Sequence, residues 1–237
     1  MAPLSAEALH PRLAWEREYA EVHAYTTSYR DELDRGVEFL LGYIAGAGAT
    51  IEGPILECAC GRGRNAIPLA ARGHAVVGMD HAETALRLFV KRALEEGLTD
   101  RTLPLRHDLR EPFPIDDGAV GAVLDITAID NLIDPEHRKA YGREVARVLR
   151  PGGLAVVVTF DLDDGYYAPF LVNPDASGTV VRDPHTGIYN NLFRAADLDA
   201  LFEPRLERVA ANRFDFIDEA AQERWTRRFH LRLYRRA

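Results

Sequence analysis

The chain has 237 residues, of which 47% are hydrophobic and 28% charged, with a formal net charge of −8 at pH 7. A chain of this length and apolar content can bury one substantial core, so we expect a single domain over residues 1–237. The negative charge argues against a nucleic-acid partner, because phosphate binding requires a concentrated basic surface.

The cysteine and histidine content bears on metal binding and on the cellular compartment. Cys58 and Cys60 are the only cysteines and the eight histidines are scattered, so we expect no metal site and a reducing compartment. The first ten residues carry neither a basic start nor a long apolar run. We therefore expect a cytoplasmic protein without membrane contact.

The N-terminal part predicts helices. Trp15 and Tyr19, and likewise Tyr25 and Tyr29, are four residues apart, which places each pair on one helical face. These pairs fit a lid over a ligand cleft, or ordinary packing of a helix against the core. A further helix ending near glycines 46 and 48 is predicted by apolar residues at Leu33, Val37, Leu40, Leu41 and Ile44.

An apolar strand then runs into a glycine loop. After Ile55 to Cys58, the sequence Gly61-Arg62-Gly63 and the following helix allow close approach of a ligand to the backbone. A second strand ends in Asp80, where ribose hydroxyls need an acceptor. The pattern predicts a nucleoside-containing cofactor. With Ala66 it also satisfies the dinucleotide fingerprint, so a nicotinamide cofactor stays open at this point.

The remaining segments alternate between strands and helices. Strands are predicted near 54–58, 75–79, 102–106, 120–126, 154–160, 207–214 and 228–235, and helices near 64–72, 82–96, 135–149 and 195–202. This alternation predicts a parallel sheet covered on both faces. Because only the polar run 218–227 separates the last two strands, we expect them to be antiparallel. The expected fold is α/β, a doubly wound seven-stranded sheet, mostly parallel with an antiparallel last strand, and an N-terminal helical lid.

Three motifs carry a resemblance to a known family. The first, residues 57–63, is similar to Glu-x-Gly-x-Gly-x-Gly, with Ala59 in place of the first glycine, which requires that Ala59 avoid a strongly positive φ. Residues 111–126 resemble the family's approach to its fourth strand, and 144–154 its helix, Pro-Gly-Gly turn and fifth strand. From about residue 50 to its end, the chain resembles the class I S-adenosylmethionine-dependent methyltransferases.

The resemblance implies S-adenosyl-L-methionine as cofactor and S-adenosyl-L-homocysteine as its product. Glu57 would orient the amino-acid end of the cofactor, Asp80 would accept from the ribose hydroxyls, and Asp108 from the adenine amino group. The alternatives are a capping acid, a helix N-cap and a turn residue, respectively. The implied cofactor residues are Glu57, Ala59, Cys60, Gly61, Arg62, Gly63, Asn65, Asp80, His81, Asp108, Leu109, Asp125 and Ile126.

Polar residues just past the fourth strand are catalytic candidates. We expect Asp130 to orient or deprotonate the acceptor and Asn131 to contact it, although Asp130 could instead belong to the cap region of the next helix. Asp134 is the better cap. His185 is a second base candidate, with a surface turn histidine as the alternative. A metal-dependent mechanism would draw on Asp125, Asp130 and Asn131.

Segments outside the common core are expected to recognise the acceptor. The chain divides into a lid (1–48), a cofactor-binding core (49–160), a substrate-side insertion (161–195), and a C-terminal helix and strand pair (196–237). Aromatic residues in the lid and insertion fit a small, partly planar acceptor. The expected acceptor-binding residues are Trp15, Tyr19, Tyr25, Tyr29, Asn131, Tyr166 and Tyr167. The C-terminal arginines are expected to form a solvated face; they are Arg224, Arg227, Arg228, Arg232, Arg235 and Arg236.

These features favour methyl transfer from S-adenosylmethionine to an O, N or S atom of a small molecule, by a monomer or homodimer. One alternative is a methyltransferase acting on RNA or protein, which needs a basic surface at the cleft. Another is a regulatory protein that binds S-adenosylmethionine without catalysis. A nicotinamide-dependent oxidoreductase is disfavoured by Glu57 and by the terminal strand pair.

Overall fold

The computed structural model describes residues 11–21, 30–171, 179–220 and 223–237. Its helices are α1 (Pro11–Ala20), α2 (Arg35–Gly46), α3 (Ala66–Ala71), α4 (Glu83–Glu95), α5 (Pro135–Val148) and α6 (Ala195–Phe202). Its strands are β1 (Ile55–Cys58), β2 (Val76–Asp80), β3 (Thr102–Arg106), β4 (Val120–Ile126), β5 (Leu149–Phe160), β6 (Val180–Arg182), β7 (Tyr189–Asn191), β8 (Glu207–Ala220) and β9 (Glu223–Arg235). Two 3-10 turns cover Ile129–Asn131 and Ala168–Phe170.

Seven strands form one sheet in the order β3-β2-β1-β4-β5-β9-β8. The first five strands pair in parallel, and β9 runs antiparallel to both β5 and β8. The predicted mostly parallel sheet with a reversed last strand is therefore confirmed. Because the strand order changes direction between β1 and β4, a crevice opens at their carboxyl ends, where ligands bind in sheets of this type.

Helices cover both faces of the sheet. On one face, Leu56 of β1 packs in a buried cluster with Tyr141 of α5 and Phe202 of α6. The neighbouring residue Ile55 belongs to a second cluster that contains Phe89 of α4. Since successive strand residues point to opposite faces, the two clusters lie on opposite sides of the sheet. This doubly wound arrangement was predicted from the alternation of strands and helices.

The predicted boundaries differ most at the C-terminus. The β8–β9 ladder runs from Glu207 opposite Arg235 to Ala220 opposite Glu223, so most of the polar run 218–227 is strand. The ends of this long hairpin are exposed, which removes the apolar alternation that marks a buried strand. β5 also begins at Leu149 rather than near 154, with a register irregularity against β4.

Two C-terminal arginines are buried, so the expected solvated face is wrong for them. Arg227 and Arg232 are each 5% exposed. The Nε of Arg227 donates to both carboxylate oxygens of Asp164, at 3.0 and 3.2 Å, and the Nε of Arg232 donates to Asp199 at 2.9 Å. Burial is tolerated because each guanidinium meets a carboxylate.

Arg227 also fixes the insertion to the sheet. Its guanidinium carbon lies 5.1 to 5.6 Å from the ring centroids of four aromatic side chains, Phe160, Tyr166, Tyr167 and Phe229. The rings come from β5, the insertion and β9, so a single cation holds three parts of the chain together. Within the insertion, β6 and β7 form a separate two-stranded antiparallel sheet.

No helix in the described ranges is both long and apolar enough to cross a membrane.

Candidate active site

The glycine loop after β1 is bound to the end of β2. Gly61 N–H donates to Oδ2 of Asp80 at 2.9 Å, and Ala82 N–H donates to Oδ1 at 2.8 Å. Gly61 has a φ of +54°, and a methyl group there would overlap the hydroxyl of Tyr19. Asp80 therefore connects the loop to the start of α4, and glycine is favoured at position 61 by its positive φ.

Ala59 does not avoid a positive φ, as the sequence motif had required. Its φ is +50°, in the left-handed region that L-residues rarely adopt. The residue has a small side chain, which keeps the steric cost at about 1–2 kcal/mol. The loop therefore retains the conformation of a glycine-containing motif at the expense of local strain.

Glu57 presents a carboxylate with one oxygen left for a ligand. Asn65 Nδ2 donates to Oε1 at 2.8 Å, and Asn65 Oδ1 accepts from the backbone of Asp34 at 2.9 Å, which fixes the amide. Oε2 is buried and has no hydrogen-bond donor among the described residues. Burial raises the pKa of Glu57 to about 7, although the Asn65 hydrogen bond opposes this. An ammonium group placed here would supply the missing donor.

The ends of β2 and β3 bring two further predicted residues together. His81 borders the same cavity as Asp108, and burial lowers the pKa of His81. Asp108 accepts from Arg110 through its backbone N–H at 3.0 Å and its guanidinium at 2.6 to 3.1 Å. Burial alone would raise the pKa of Asp108, but these hydrogen bonds outweigh it and lower the value to about 2. Asp108 is thus an ionised turn residue at the cavity wall.

Helix α1 lies over this crevice. The Glu16 carboxylate accepts from the backbone N–H groups of Glu83 at 2.7 Å and Thr84 at 3.0 Å. Residue 82, the cap position of α4, is alanine and cannot cap through a side chain, so α1 supplies the cap from elsewhere in the chain. Trp15 and Tyr19 line the cavity, with ring centroids 5.9 Å apart.

The far end of the cavity follows β4. Thr127 has a φ of +59°, which is strained for a β-branched residue. Its N–H donates to Val158 and its hydroxyl donates to the carbonyl of Ile126. Asp125 Oδ1 accepts from the backbone N–H groups of Ala128 and Ile129, which starts the 3-10 turn carrying Asn131. This turn sets which of its side chains reach the cavity.

One open cavity joins these features, and concave sites of this kind are where small-molecule cofactors bind. The predicted residues that line it are Trp15, Tyr19, Glu57, Ala59, Cys60, Gly61, Arg62, Asn65, Asp80, His81, Asp108, Leu109, Ile126 and Asn131. Those not among its lining residues are Gly63, Asp125, Asp130, Tyr166, Tyr167 and His185. Tyr25 and Tyr29 lie outside the described residues.

The predicted residues that do not line the cavity have other contacts. A side chain at Gly63 would strike Phe89, so its role is packing of the loop against α4. Asp130 is fully buried, and its Oδ2 accepts from Phe160 N–H at 3.3 Å. Burial and then the nearby Asp125 raise the pKa of Asp130 well above its ordinary value. Because Asp130 is buried and does not line the cavity, its position does not support a role as base.

The three predicted site residues in the insertion, Tyr166, Tyr167 and His185, also lie away from the cavity. Tyr166 and Tyr167 pack around Arg227, and both hydroxyls donate to Asp183. His185 is exposed and stacks on Tyr166, with centroids 6.5 Å apart. The surface-turn interpretation of His185 fits this position. Within the described ranges, no group of three or more His, Cys, Asp or Glu side chains is placed to hold a metal ion.

Several lining residues were not identified from the sequence, namely Pro11, Arg64, His107, Arg110, Thr127, Ala128 and Leu132. Most of them immediately precede or follow predicted positions at strand ends. Extending each strand-end motif by a few residues would have found His107, Arg110 and Thr127. Pro11 has no such local signal, because it reaches the cavity only through the placement of α1.

Part of the chain is similar to known methyltransferases. Residues 55–153 match the family described as a methyltransferase domain. A 2-heptyl-1-hydroxyquinolin-4(1H)-one methyltransferase from Mycobacteroides abscessus is 35% identical over 111 residues, 47% of this chain and 48% of that protein. The methyltransferase GfsG from Streptomyces halstedii is 34% identical over 154 residues, 62% of this chain and 53% of that protein. The chain thus spans about half the length of these relatives.

A solved structure shares the whole fold. The 1,6-didemethyltoxoflavin-N1-methyltransferase of Burkholderia thailandensis, with bound 1,6-didemethyltoxoflavin and S-adenosylhomocysteine, has a TM-score of 0.69 at 16% identity, covering 100% of this chain and 93% of that one. At this identity the likeness shows the fold alone. The match to the methyltransferase domain covers residues 55–153, and the fold is shared with this methyltransferase of known structure.

The residues present fit S-adenosylmethionine, the cofactor that the sequence motifs imply. The buried Oε2 of Glu57 lacks a donor, which the amino group of S-adenosylmethionine would provide. The loop at Gly61 allows close backbone approach, and Asp80 lines the cavity beside it. Glu57, Gly61 and Asp80 are thus the residues that would hold this cofactor.

Proposed function

We propose that this protein transfers a methyl group from S-adenosylmethionine to an O, N or S atom of a small-molecule acceptor. The observation that carries the proposal is the single cavity between Glu57 and Asn131, which continues from the cofactor residues past the end of β4. A cofactor bound at Glu57 and Asp80 leaves the region of Thr127 and Asn131 for an acceptor.

When bound, the cofactor would supply an activated methyl group to a lone pair of the acceptor and would leave as S-adenosylhomocysteine, and any proton on the acceptor would be lost to bulk solvent. Glu57 holds the amino-acid end and Asp80 the ribose. Trp15 and Tyr19 exclude water from above, and Asn131 contacts the acceptor. Catalysis in this scheme comes mainly from positioning the two reactants next to each other in the cavity.

Two observations support a small, partly planar acceptor. The cavity is lined by the aromatic rings of Trp15 and Tyr19, which suit flat molecules. The similar proteins described above are named for a hydroxyquinolinone and a toxoflavin precursor. We also propose that the protein is cytoplasmic and acts as a monomer or homodimer. Its single domain would comprise the lid, the cofactor-binding core, the insertion and the C-terminal helix and strand pair.

An RNA or protein acceptor has less support. The negative net charge disfavours it, and two of the C-terminal arginines that would have formed a basic surface are buried in ion pairs. A non-catalytic cofactor-binding protein is a separate alternative, which turnover measurements distinguish.

The test is calorimetric titration with S-adenosylhomocysteine, with NADH as a parallel control, followed by an acceptor screen with labelled S-adenosylmethionine. We expect micromolar binding of S-adenosylhomocysteine, no binding of NADH and methylation of at least one hydroxylated or N–H-bearing heteroaromatic compound. Glu57→Gln is the matched variant and should bind more weakly. Binding of NADH alone would contradict the proposal, and cofactor binding without turnover on any acceptor would favour the regulatory alternative.

A further inference from the structure

A chain of hydrogen bonds joins the insertion to the acceptor end of the cavity. Asn131 Nδ2 donates to Oδ1 of Asn190 at 2.9 Å and to the carbonyl of Tyr189 at 3.4 Å. Asn190 Nδ2 donates to the hydroxyl of Tyr167 at 3.3 Å, and this hydroxyl donates to Oδ2 of Asp183 at 3.3 Å. The chain therefore begins on β7 and its neighbouring turns and ends at Asn131, which lines the cavity.

The direction of these hydrogen bonds is set at Asp183, the member farthest along the chain of hydrogen bonds from Asn131. The Asp183 carboxylate accepts from the hydroxyls of Tyr166 and Tyr167 and from two backbone N–H groups of its own turn. Because Tyr167 uses its only proton on Asp183, it can only accept from Asn190. Asn190 must then turn its oxygen toward Asn131, whose NH₂ group is directed to the insertion.

Burial makes this orientation hard to reverse. Asp183, Asn190 and Tyr167 are all buried, so a flipped amide would leave polar atoms unpaired away from water. Asn131 is half-buried, and among the described residues its Oδ1 accepts no hydrogen bond. The oxygen is thus the polar atom of Asn131 left for a ligand in the cavity.

The geometry points to Asn190 and Tyr167 as positioning residues that hold Asn131 as a hydrogen-bond acceptor, so that the methyl acceptor is a molecule with a hydroxyl or N–H donor. This inference rests on the proposed function and narrows its substrate class. A carboxylate, ether or tertiary amine would face the lone pairs of Oδ1 without a hydrogen to share, and a site built for a donor discriminates against such ligands. Two residues absent from the cavity wall thereby select the acceptor.

The experiment uses phenol and anisole, which differ in the donor hydrogen, titrated into the complex with S-adenosylhomocysteine. Binding is followed by NMR on the side-chain amide of Asn131, assigned with Asn131→Asp. We expect phenol to shift the amide and to bind about fivefold more tightly than anisole. In Asn190→Leu and Tyr167→Phe this preference should fall to about twofold or less.

Tyr166→Phe is the matched control, because it deletes a hydroxyl on the same Asp183 carboxylate without affecting Asn190. It should keep the wild-type preference for phenol. If Asn190→Leu does not fold, Tyr167→Phe still breaks the chain with the ring in place. Equal binding of phenol and anisole by the wild-type complex, or an unchanged preference in folded Tyr167→Phe, overturns the inference alone. Failure of the wild type to bind S-adenosylhomocysteine overturns the proposed function.

Discussion

Asn65 donates a hydrogen bond of 2.8 Å to Oε1 of Glu57 and leaves Oε2 as the carboxylate oxygen without a donor. The pair lies at the bottom of the cavity, where β1 meets the start of α3. Burial of the carboxyl, opposed only in part by this hydrogen bond, raises its pKa to about 7. The charge of Glu57 therefore depends on pH near neutrality and on whether a cation occupies the site.

The first prediction concerns the pH dependence of cofactor binding. The pKa of Glu57 is raised on folding, so the free protein loses stability from this group as pH rises from about 4.5 to about 7. An ammonium group favours the ionised form, so binding of S-adenosylhomocysteine should strengthen over the same range, by up to about tenfold per pH unit, and level off above pH 7. Calorimetry in buffers of different ionisation enthalpy measures the proton released. In Glu57→Gln both the dependence and the release should vanish; if they persist, another group is responsible.

The second prediction concerns the cap that α1 supplies to α4. Glu16→Ala removes the acceptor for Glu83 N–H and Thr84 N–H and should cost about 1–2 kcal/mol of stability. Hydrogen exchange should increase across residues 11–20 and the first turn of α4, and S-adenosylhomocysteine should dissociate faster. Glu95→Ala is the control, because its carboxylate forms only an exposed pair with Lys91 at 3.7 Å. Equal exchange in both variants would show that Glu16 does not hold α1 in place.

The lowered pKa of Glu16 also predicts the pH below which its contact with the start of α4 weakens. Burial alone would raise its pKa, but hydrogen bonds from Thr84 and Glu83 outweigh that and hold the pKa below 4.5. A lowered folded-state pKa stabilises the protein above the unfolded value and loses this contribution as pH falls through the folded one. The protection of the α1 amides, corrected for the intrinsic pH dependence of exchange, should therefore stay constant from pH 7 to about 5 and fall below about 4.5.

The third prediction separates a catalytic from a structural role for Asp130. Burial raises the pKa of Asp130 well above its ordinary value and so favours the neutral carboxyl, whose shape Asp130→Asn preserves. We expect wild-type stability and turnover for Asn, and a loss of about 1–2 kcal/mol for Asp130→Ala, which unpairs Phe160 N–H. Urea unfolding and kcat against pH make the comparison. Loss of turnover in folded Asp130→Asn would restore the base hypothesis.

The fourth prediction addresses the buried ion pair between Asp164 and Arg227. Arg227→Met leaves a fully buried carboxylate without its cation, and we expect about 3–5 kcal/mol of destabilisation. Arg224→Ala, which breaks an exposed pair with Glu219, should cost less than about 1 kcal/mol. Urea unfolding measures both. A small effect of Arg227→Met would mean that the aromatic rings, rather than the charge, hold the insertion.

Local patterns explain what could be predicted from the sequence. The strands and helices carry their own periodicity, and the glycine loop at Gly61 marks the end of β1, so the sheet and the cofactor loop follow from neighbouring residues. The partners of Arg227 and Arg232 lie 63 and 33 residues away in the chain, and the cap from Glu16 reaches across 67 residues. Such pairings depend on tertiary placement, which residue spacing does not encode. The position of Asp130 also depends on tertiary placement, because the 3-10 turn brings Asn131 and not Asp130 to the cavity wall.

Among the described residues, Ala59 and Thr127 are the non-glycine residues with positive φ. They follow β1 and β4, which are adjacent and in register at Cys58 and Asp125, so the strained backbone is concentrated on one side of one cavity. A laboratory selection for thermal resistance would therefore enrich glycine at these two positions. Glycine at position 127 would also make the acceptor end of the cavity more flexible. Variants selected there for thermal stability would therefore have lower turnover.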